Sequence, residues 1–188
     1  MGRLARGLVQ VYTGPGKGKT SAALGLAMRA AGHRLRVCFI QFLKGDWEQG
    51  ERKAAARLSP ELEMHAFAAP HWGDQGKADK RTPWWQLPPS EQDRSQAQQG
   101  MAFARQALTG GEYDIVVLDE ILMAVKLNLI SVEELTSLLR AKPAGVELVL
   151  TGREAPDEII TAADLVTEMK AVKHPYQRGV KARKGIEY

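Results

Sequence analysis

Short apolar runs alternate along this chain with longer stretches in which apolar positions return every three or four residues. The runs Leu8–Thr13, Arg36–Phe42, Leu62–Ala66, Ile115–Asp119, Val146–Thr151 and Leu165–Met169 are rich in Val, Leu and Ile and mostly lack strict alternation. Strands covered on both faces read this way, so the runs predict a parallel sheet. Strands that alternate with helical segments predict an α/β domain.

Two of the helices carry recognisable ends. Ser90 follows Pro88-Pro89 and precedes Asp93, close to a Ser-x-x-Glu capping box. Ala97, Met101, Ala104 and Leu108 then share one face, and Gly110-Gly111 stops the helix. Ser131 and Glu134 form a full box, with Val132, Leu135, Leu138 and Leu139 turned inward. The stretch 68–89, AAPHWGDQGKADKRTPWWQLPP, has no period and holds four prolines and two glycines. A connection this long inside a compact domain is either functional or disordered. Trp72, Trp84 and Trp85 lie in it, more aromatic surface than a disordered linker carries, which favours a binding loop.

Composition narrows the class. A length of 188 residues suits one domain, 1–188, able to bury roughly 70% of its unfolded surface without disulfides or a structural metal. Fractions of 44% hydrophobic and 26% charged residues exclude a mainly disordered chain. No apolar run approaches the roughly 20 residues of a membrane span. The first residues, MGRLARGLVQVYTG, lack the apolar core and cleavage site of a signal peptide. A cytoplasmic protein with no membrane partner is expected. Cys38, the sole cysteine, sits in an apolar run and reads as an inert buried thiol. His33, His65, His71 and His174 show no metal-binding spacing, so no zinc site is expected. The net charge of +4 fits an anionic ligand of any size and does not by itself imply nucleic acid.

The strongest chemical signal is LVQVYTGPGKGKTSAALGLAMRAAG, which reads as strand, glycine-rich turn, Gly-Lys-Thr and helix. This is the context of a phosphate-binding P-loop. Gly14, Gly16 and Gly18 let the backbone turn tightly so that its N–H groups point into one concavity. A helix beginning near Lys19 adds the positive end of its dipole. Lys19 supplies a mobile cation for phosphate oxygens, and the Thr20 hydroxyl is the expected magnesium ligand. Thr13 stands at the first glycine of the usual pattern, but the loop length and the final Gly-Lys-Thr are kept.

Its partner is Tyr113-Asp114-Ile115-Val116-Val117-Leu118-Asp119-Glu120, an apolar run ending in two carboxylates. Asp119, at the end of a buried strand, is where P-loop proteins hold magnesium. Glu120 either polarises an attacking water for hydrolysis or serves as a magnesium ligand in another transfer. Together these motifs call for a nucleoside triphosphate with magnesium. The tail is basic over 170–188: Lys170, Lys173, Arg178, Lys181, Arg183 and Lys184, with His174 and Tyr176 among them. It is either a solvated segment or an anion-contacting lid. It lacks the stacking platform of single-strand binders, so no nucleic-acid partner is expected.

Taken together, the segments resemble one family. VYTGPGKGKTSAALGLAMRAAGH, VCFIQFLKGDWEQGE, YDIVVLDEI, VLTGR and VKHPYQRGVKARKGIEY are similar, in the same order from about Arg6 to Tyr188, to the P-loop ATP:corrinoid adenosyltransferases. The Gly-Lys-Gly-Lys-Thr core is specific to few P-loop families, and generic ATPases lack QFLKG and VKHPY…GVKAR. The expected fold is α/β, a P-loop NTPase-like three-layer fold with a mostly parallel central sheet of about six strands.

The resemblance implies a reaction in which a reduced cob(I) corrinoid attacks C5′ of ATP, taking the 5′-deoxyadenosyl group and releasing triphosphate, in adenosylcobalamin biosynthesis or salvage. Gly14, Pro15, Gly16, Lys17, Gly18, Lys19, Thr20 and Ser21, with Arg153 of VLTGR, would bind ATP. Thr20, Asp119 and Glu120 would hold Mg2+, and Lys19, Thr20 and Glu120 would act on the departing triphosphate. ATP would lie in the loop in the sense opposite to other P-loop proteins, with C5′ exposed. A homodimer and an electron-donating reductase are implied as partners. Family members press a Phe-x-Trp pair on the lower face of the corrin. The matching segment here is Pro70-His71-Trp72, which makes Trp72, with His71, corrinoid-facing, and leaves Trp84 or Trp85 to replace the missing Phe. Longer members cover the partner's site with an N-terminal helix, whereas this chain begins almost at its first strand, so closure is expected from the 68–89 loop or the basic tail. The alternatives are a P-loop ATPase or small-molecule kinase, giving ADP or AMP, and a nucleotide-dependent corrinoid carrier without turnover.

Overall fold

The computed structural model describes residues 4–45, 49–70 and 88–186. Its strands are β1 (Val9–Thr13), β2 (Val37–Phe42), β3 (Leu62–Phe67), β4 (Ile115–Asp119), β5 (Glu147–Thr151) and β6 (Leu165–Glu168). They form one sheet in the order β3-β2-β4-β5-β1-β6. Each neighbouring pair is parallel, so the expected sheet is borne out with no antiparallel strand among the described residues. The helices are α1 (Lys19–Gly32), α2 (Gly50–Ala55), α3 (Glu91–Thr109), α4 (Ile121–Lys126), α5 (Val132–Arg140) and α6 (Asp157–Ala162).

Successive strand residues feed two different cores, which is why the runs show no polar face. Val37, Phe39, Ile115, Val117 and Val149 pack with Ala23, Ala27, Ala30 and Ala31 of α1 and Ala55 of α2. Cys38, Ile40, Phe42, Val116, Leu118, Leu148 and Leu150 pack on the other side, with α3, α4, α5 and Ile159 of α6. The result is three layers, helix on sheet on helix. Phe39 is fully buried in the first core, where truncation to Ala costs about 3–5 kcal/mol. Cys38 is buried as expected, and burial pushes its thiol up to about 12.

Both capping boxes form. The Asp93 amide donates to Ser90 Oγ at 3.2 Å and the Ser90 amide donates to the Asp93 carboxylate at 2.7 Å. The same reciprocal pair joins Ser131 and Glu134. Because every strand runs the same way, all the carboxyl ends lie on one rim. The segments after β1, β2, β4 and β5 therefore meet there, the rim where open α/β sheets place their ligands.

Candidate active site

Gly14–Gly18 connects β1 to α1 with two residues in conformations that side chains resist. Gly14 has φ 97° and its backbone lies so near Met169 that a Cβ would meet the Met169 carbonyl oxygen at 2.7 Å. Gly18, at φ 118°, precedes Lys19 with no side-chain cap, leaving the first turn of α1 open as an anion site requires. The loop is braced from the edge of the sheet: Met169 N–H donates to Thr13 O at 2.8 Å, and Gly16 N–H donates to Met169 O at 2.6 Å. Lys19, only 6% exposed, lies along the loop and donates to the carbonyls of Gly14 at 2.7 Å and Gly16 at 2.8 Å. Burial pulls its ammonium below the ordinary lysine value; Glu120 opposes this and Arg153 adds to it.

Asp119 ends β4 with no solvent exposure. Its Oδ1 accepts from the hydroxyls of Thr20 at 2.9 Å and Thr151 at 2.7 Å. Its Oδ2 accepts from Lys44 Nζ at 2.6 Å, and that ammonium also donates to Thr20 Oγ1 at 3.1 Å. Burial alone would lower Lys44, but the adjacent Asp119 carboxylate prevails and holds it above the usual value. Glu120 turns the chain at φ 62°, a left-handed conformation rare outside glycine and asparagine. Its amide is fixed by Thr151 Oγ1 at 2.9 Å. Burial, then the neighbouring Asp119, raises the Glu120 carboxyl.

A cavity of about 460 Å³ opens over these groups, within the range of small-molecule sites. Its wall takes Gly16–Ser21 from the loop and α1, Lys44, Gly50 and Glu51 from the β2–α2 connection, Glu120, and Arg153. Arg153 reaches it because Gly152, at φ 144°, lies against α4, where a Cβ would meet that of Leu122 at 2.7 Å. The tail completes the wall with His174, Gly185 and Ile186, and Lys17 Nζ donates to Ile186 O at 3.2 Å.

The residue types suit magnesium. Thr20 and Asp119 are hard oxygen donors held 2.9 Å apart, the ligand type that magnesium takes when phosphate and water complete its shell. Gln41, paired in register with Asp119 and on the same sheet face as Phe39, is fully buried with neither amide atom hydrogen-bonded. A hydrated cation beside Asp119 would supply such a group with partners.

Of the sequence candidates, Gly16, Lys17, Gly18, Lys19, Thr20, Ser21, Glu120 and Arg153 converge on the cavity. Gly14 supports Lys19 from behind, Pro15 is exposed on the loop, and Asp119 lies beneath Thr20. Trp72 and His71, and with them Trp84 and Trp85, lie outside the described residues. Sequence reasoning missed three residues. Lys44 follows the buried run of β2 within the QFLKG segment, Thr151 is the polar end of an apolar run, and Gln41 is a lone amide in one. Polar residues at or near the carboxyl ends of β2 and β5 mark the positions, but nothing local says which of them meet Asp119.

Comparison with known proteins agrees with this geometry. The sequence model of a family described as "ATP:corrinoid adenosyltransferase BtuR/CobO/CobP" matches residues 5–188. A corrinoid adenosyltransferase of Pseudomonas aeruginosa is 35% identical over 97% of this chain and 84% of its own length. That of Escherichia coli K12 is 34% identical over 97% of this chain and 86% of its own. Corrinoid adenosyltransferase CobA of Salmonella typhimurium is 35% identical with the same coverage, 97% and 86%.

Proposed function

The chain belongs to the ATP:corrinoid adenosyltransferase family, and from that premise we infer an enzyme that moves the 5′-deoxyadenosyl group of ATP onto the cobalt of a reduced corrinoid. The cobalt electron pair forms the bond to C5′, the C5′–O bond breaks, and its electrons leave with an intact triphosphate. The attacking group belongs to the substrate, so the protein needs no base. Its task is to orient ATP and to stabilise the charge that gathers on the departing triphosphate.

The observation that carries this reading is the convergence of Lys17, Lys19, Lys44 and Arg153 on one cavity at the uncapped start of α1. In this reading Gly14–Ser21 cradles the triphosphate, Lys19 moves from the loop carbonyls to the phosphate oxygens, and Arg153 approaches from the segment after β5. Thr20 and Asp119, with Glu120 beside them, hold Mg2+, which neutralises phosphate charge when bound. Thr151 fixes the Asp119 carboxylate in place. ATP lies with C5′ open to the corrinoid, which meets the 68–89 loop at Trp72 and His71. Tail residues His174, Gly185 and Ile186 support closure from the C-terminal side. The enzyme works in the cytoplasm as one nucleotide-binding domain and as a homodimer, and a reductase supplies the electron that makes the corrinoid nucleophilic. No helix among the described residues is long and apolar enough to cross a membrane.

The test combines purified protein, magnesium-ATP and chemically reduced cob(I)alamin, followed by visible absorbance and phosphate chromatography. The expected result is the light-sensitive adenosylcobalamin spectrum together with intact triphosphate. ADP and phosphate with no change at cobalt would overturn it.

A further inference from the structure

Asp119 and Thr20 spend their hydrogen-bonding capacity in a particular way. Asp119 Oδ1 already receives two hydroxyl donors, from Thr20 and Thr151. The oxygen that remains, Oδ2, carries the Lys44 ammonium at 2.6 Å. Thr20 uses its proton toward Asp119, and its lone pair also accepts from Lys44, at 3.1 Å. The ammonium therefore sits on the two atoms that a divalent cation would use, Asp119 Oδ2 and Thr20 Oγ1. Both cations cannot be there together. Lys44 also lines the nucleotide cavity, and its side chain is 21% exposed.

We propose that Lys44 is the resident cation of the divalent-ion position, and that the incoming metal–nucleotide displaces its ammonium onto the triphosphate. This rests on reading Thr20 and Asp119 as the holders of Mg2+. Lys44 then does two things. It keeps the buried Asp119 charge paired whenever the metal is elsewhere, which removes the cost of an isolated carboxylate in the interior. It also makes the free protein a weak metal binder, so that metal and triphosphate are captured together. Once displaced, it is a second lysine on the leaving group besides Lys19, and a long flexible ammonium is suited to that move.

The experiment titrates Mn2+, followed by electron paramagnetic resonance, into the protein without nucleotide. It compares the unmodified chain, Lys44→Met and the double variant Lys44→Met/Asp119→Asn. Removing a competing charge from the site is expected to tighten Mn2+ binding roughly tenfold or more in Lys44→Met, and the gain is expected to vanish in the double variant. The titration is repeated with inorganic triphosphate present, where the Lys44→Met gain is expected to shrink several-fold because the displaced ammonium of the unmodified chain then pairs with phosphate; a gain undiminished by triphosphate would overturn the displacement. Lys44→Gln, which keeps a hydrogen-bond donor for Asp119 without the charge, repeats both measurements if Lys44→Met does not fold. Unchanged or weaker Mn2+ binding in the folded variant would overturn the proposal, since a merely structural lysine gives that sign. Adenosylcorrinoid formation by the unmodified chain is assayed separately. A chain that makes none but shows the Mn2+ gain loses the transferase reading and keeps the cation exchange; the reverse result does the opposite.

Discussion

The two ends of β2, β3 and β4 are built from the same parts and behave differently. At the amino ends, Glu63 accepts from the Arg36 guanidinium at 2.6 Å and from the Tyr113 hydroxyl at 2.8 Å. Arg36 also stacks over the Tyr113 ring, 5.3 Å from its centroid. At the carboxyl ends, Asp119 meets Lys44, Thr20 and Thr151. Each cluster is a carboxylate with a basic side chain and at least one hydroxyl group. The amino-end cluster is partly open, its Glu63 side chain 30% exposed, and its partners come from the strands and their immediate approaches. It ties edge strand β3 to its neighbours. The carboxyl-end cluster is closed to solvent at Asp119, faces an uncapped helix start, and is held by a lysine that has somewhere else to go. An ion pair in a sheet is therefore not a mark of function by itself. What separates the two is whether the cation borders a cavity at the carboxyl rim.

The sharpest way to break the contrast is at the P-loop. Lys19→Ala is expected to cut adenosyl transfer to reduced corrinoid by roughly 10²–10³-fold, because it removes one charge-stabilising donor from the leaving group. Its melting curve should barely move. Asp119→Asn comes next, with a loss of roughly 100-fold that added magnesium recovers only in part, read as initial rate against magnesium concentration. On the other rim, Glu63→Gln should leave transfer intact and lower stability by about 0.5–1.5 kcal/mol, measured by urea unfolding. An activity loss there comparable to Asp119→Asn would erase the distinction.

The smallest effect is one of pH. Burial holds His65 below the ordinary histidine value, with Glu63 pulling the other way. The unfolded chain then takes up a proton that the folded chain resists. Stability is therefore present above about pH 6.5 and declines as pH falls below it. His65→Gln should flatten urea midpoints between about pH 7.5 and pH 5.5.

Much of this arrangement is legible before any coordinates. Strands buried on both faces leave dense Val, Leu and Ile runs, and the P-loop carries its own context, so sheet, loop and Asp119 follow from local pattern. Boundaries slip by a residue where pairing decides: β2 starts at Val37, β3 continues to Phe67, and β6 stops at Glu168 because Met169 turns to meet the P-loop. The six-residue helices α2, α4 and α6 escaped notice. A helix that short shows no period, and α4, with Ile121–Val125 all buried, has no polar face to reveal one. Lys44 and Thr151 are invisible for a different reason. Their roles arise from strand order, which brings the ends of β2 and β5 to either side of β4, and no local pattern encodes that adjacency.

The bond from Gly16 to Met169 puts the proposed phosphate cradle in series with the least protected part of the sheet. β6 is four residues long, exposed throughout and paired only with β1. Fraying of that strand would release the cradle, and by reciprocity a gripped triphosphate must hold the strand and the tail behind it in place. The C-terminal segment thus becomes a gauge of occupancy. Trypsin, cutting among the lysines and arginines of 170–184, should cleave it slowly when triphosphate is held and quickly when it is not.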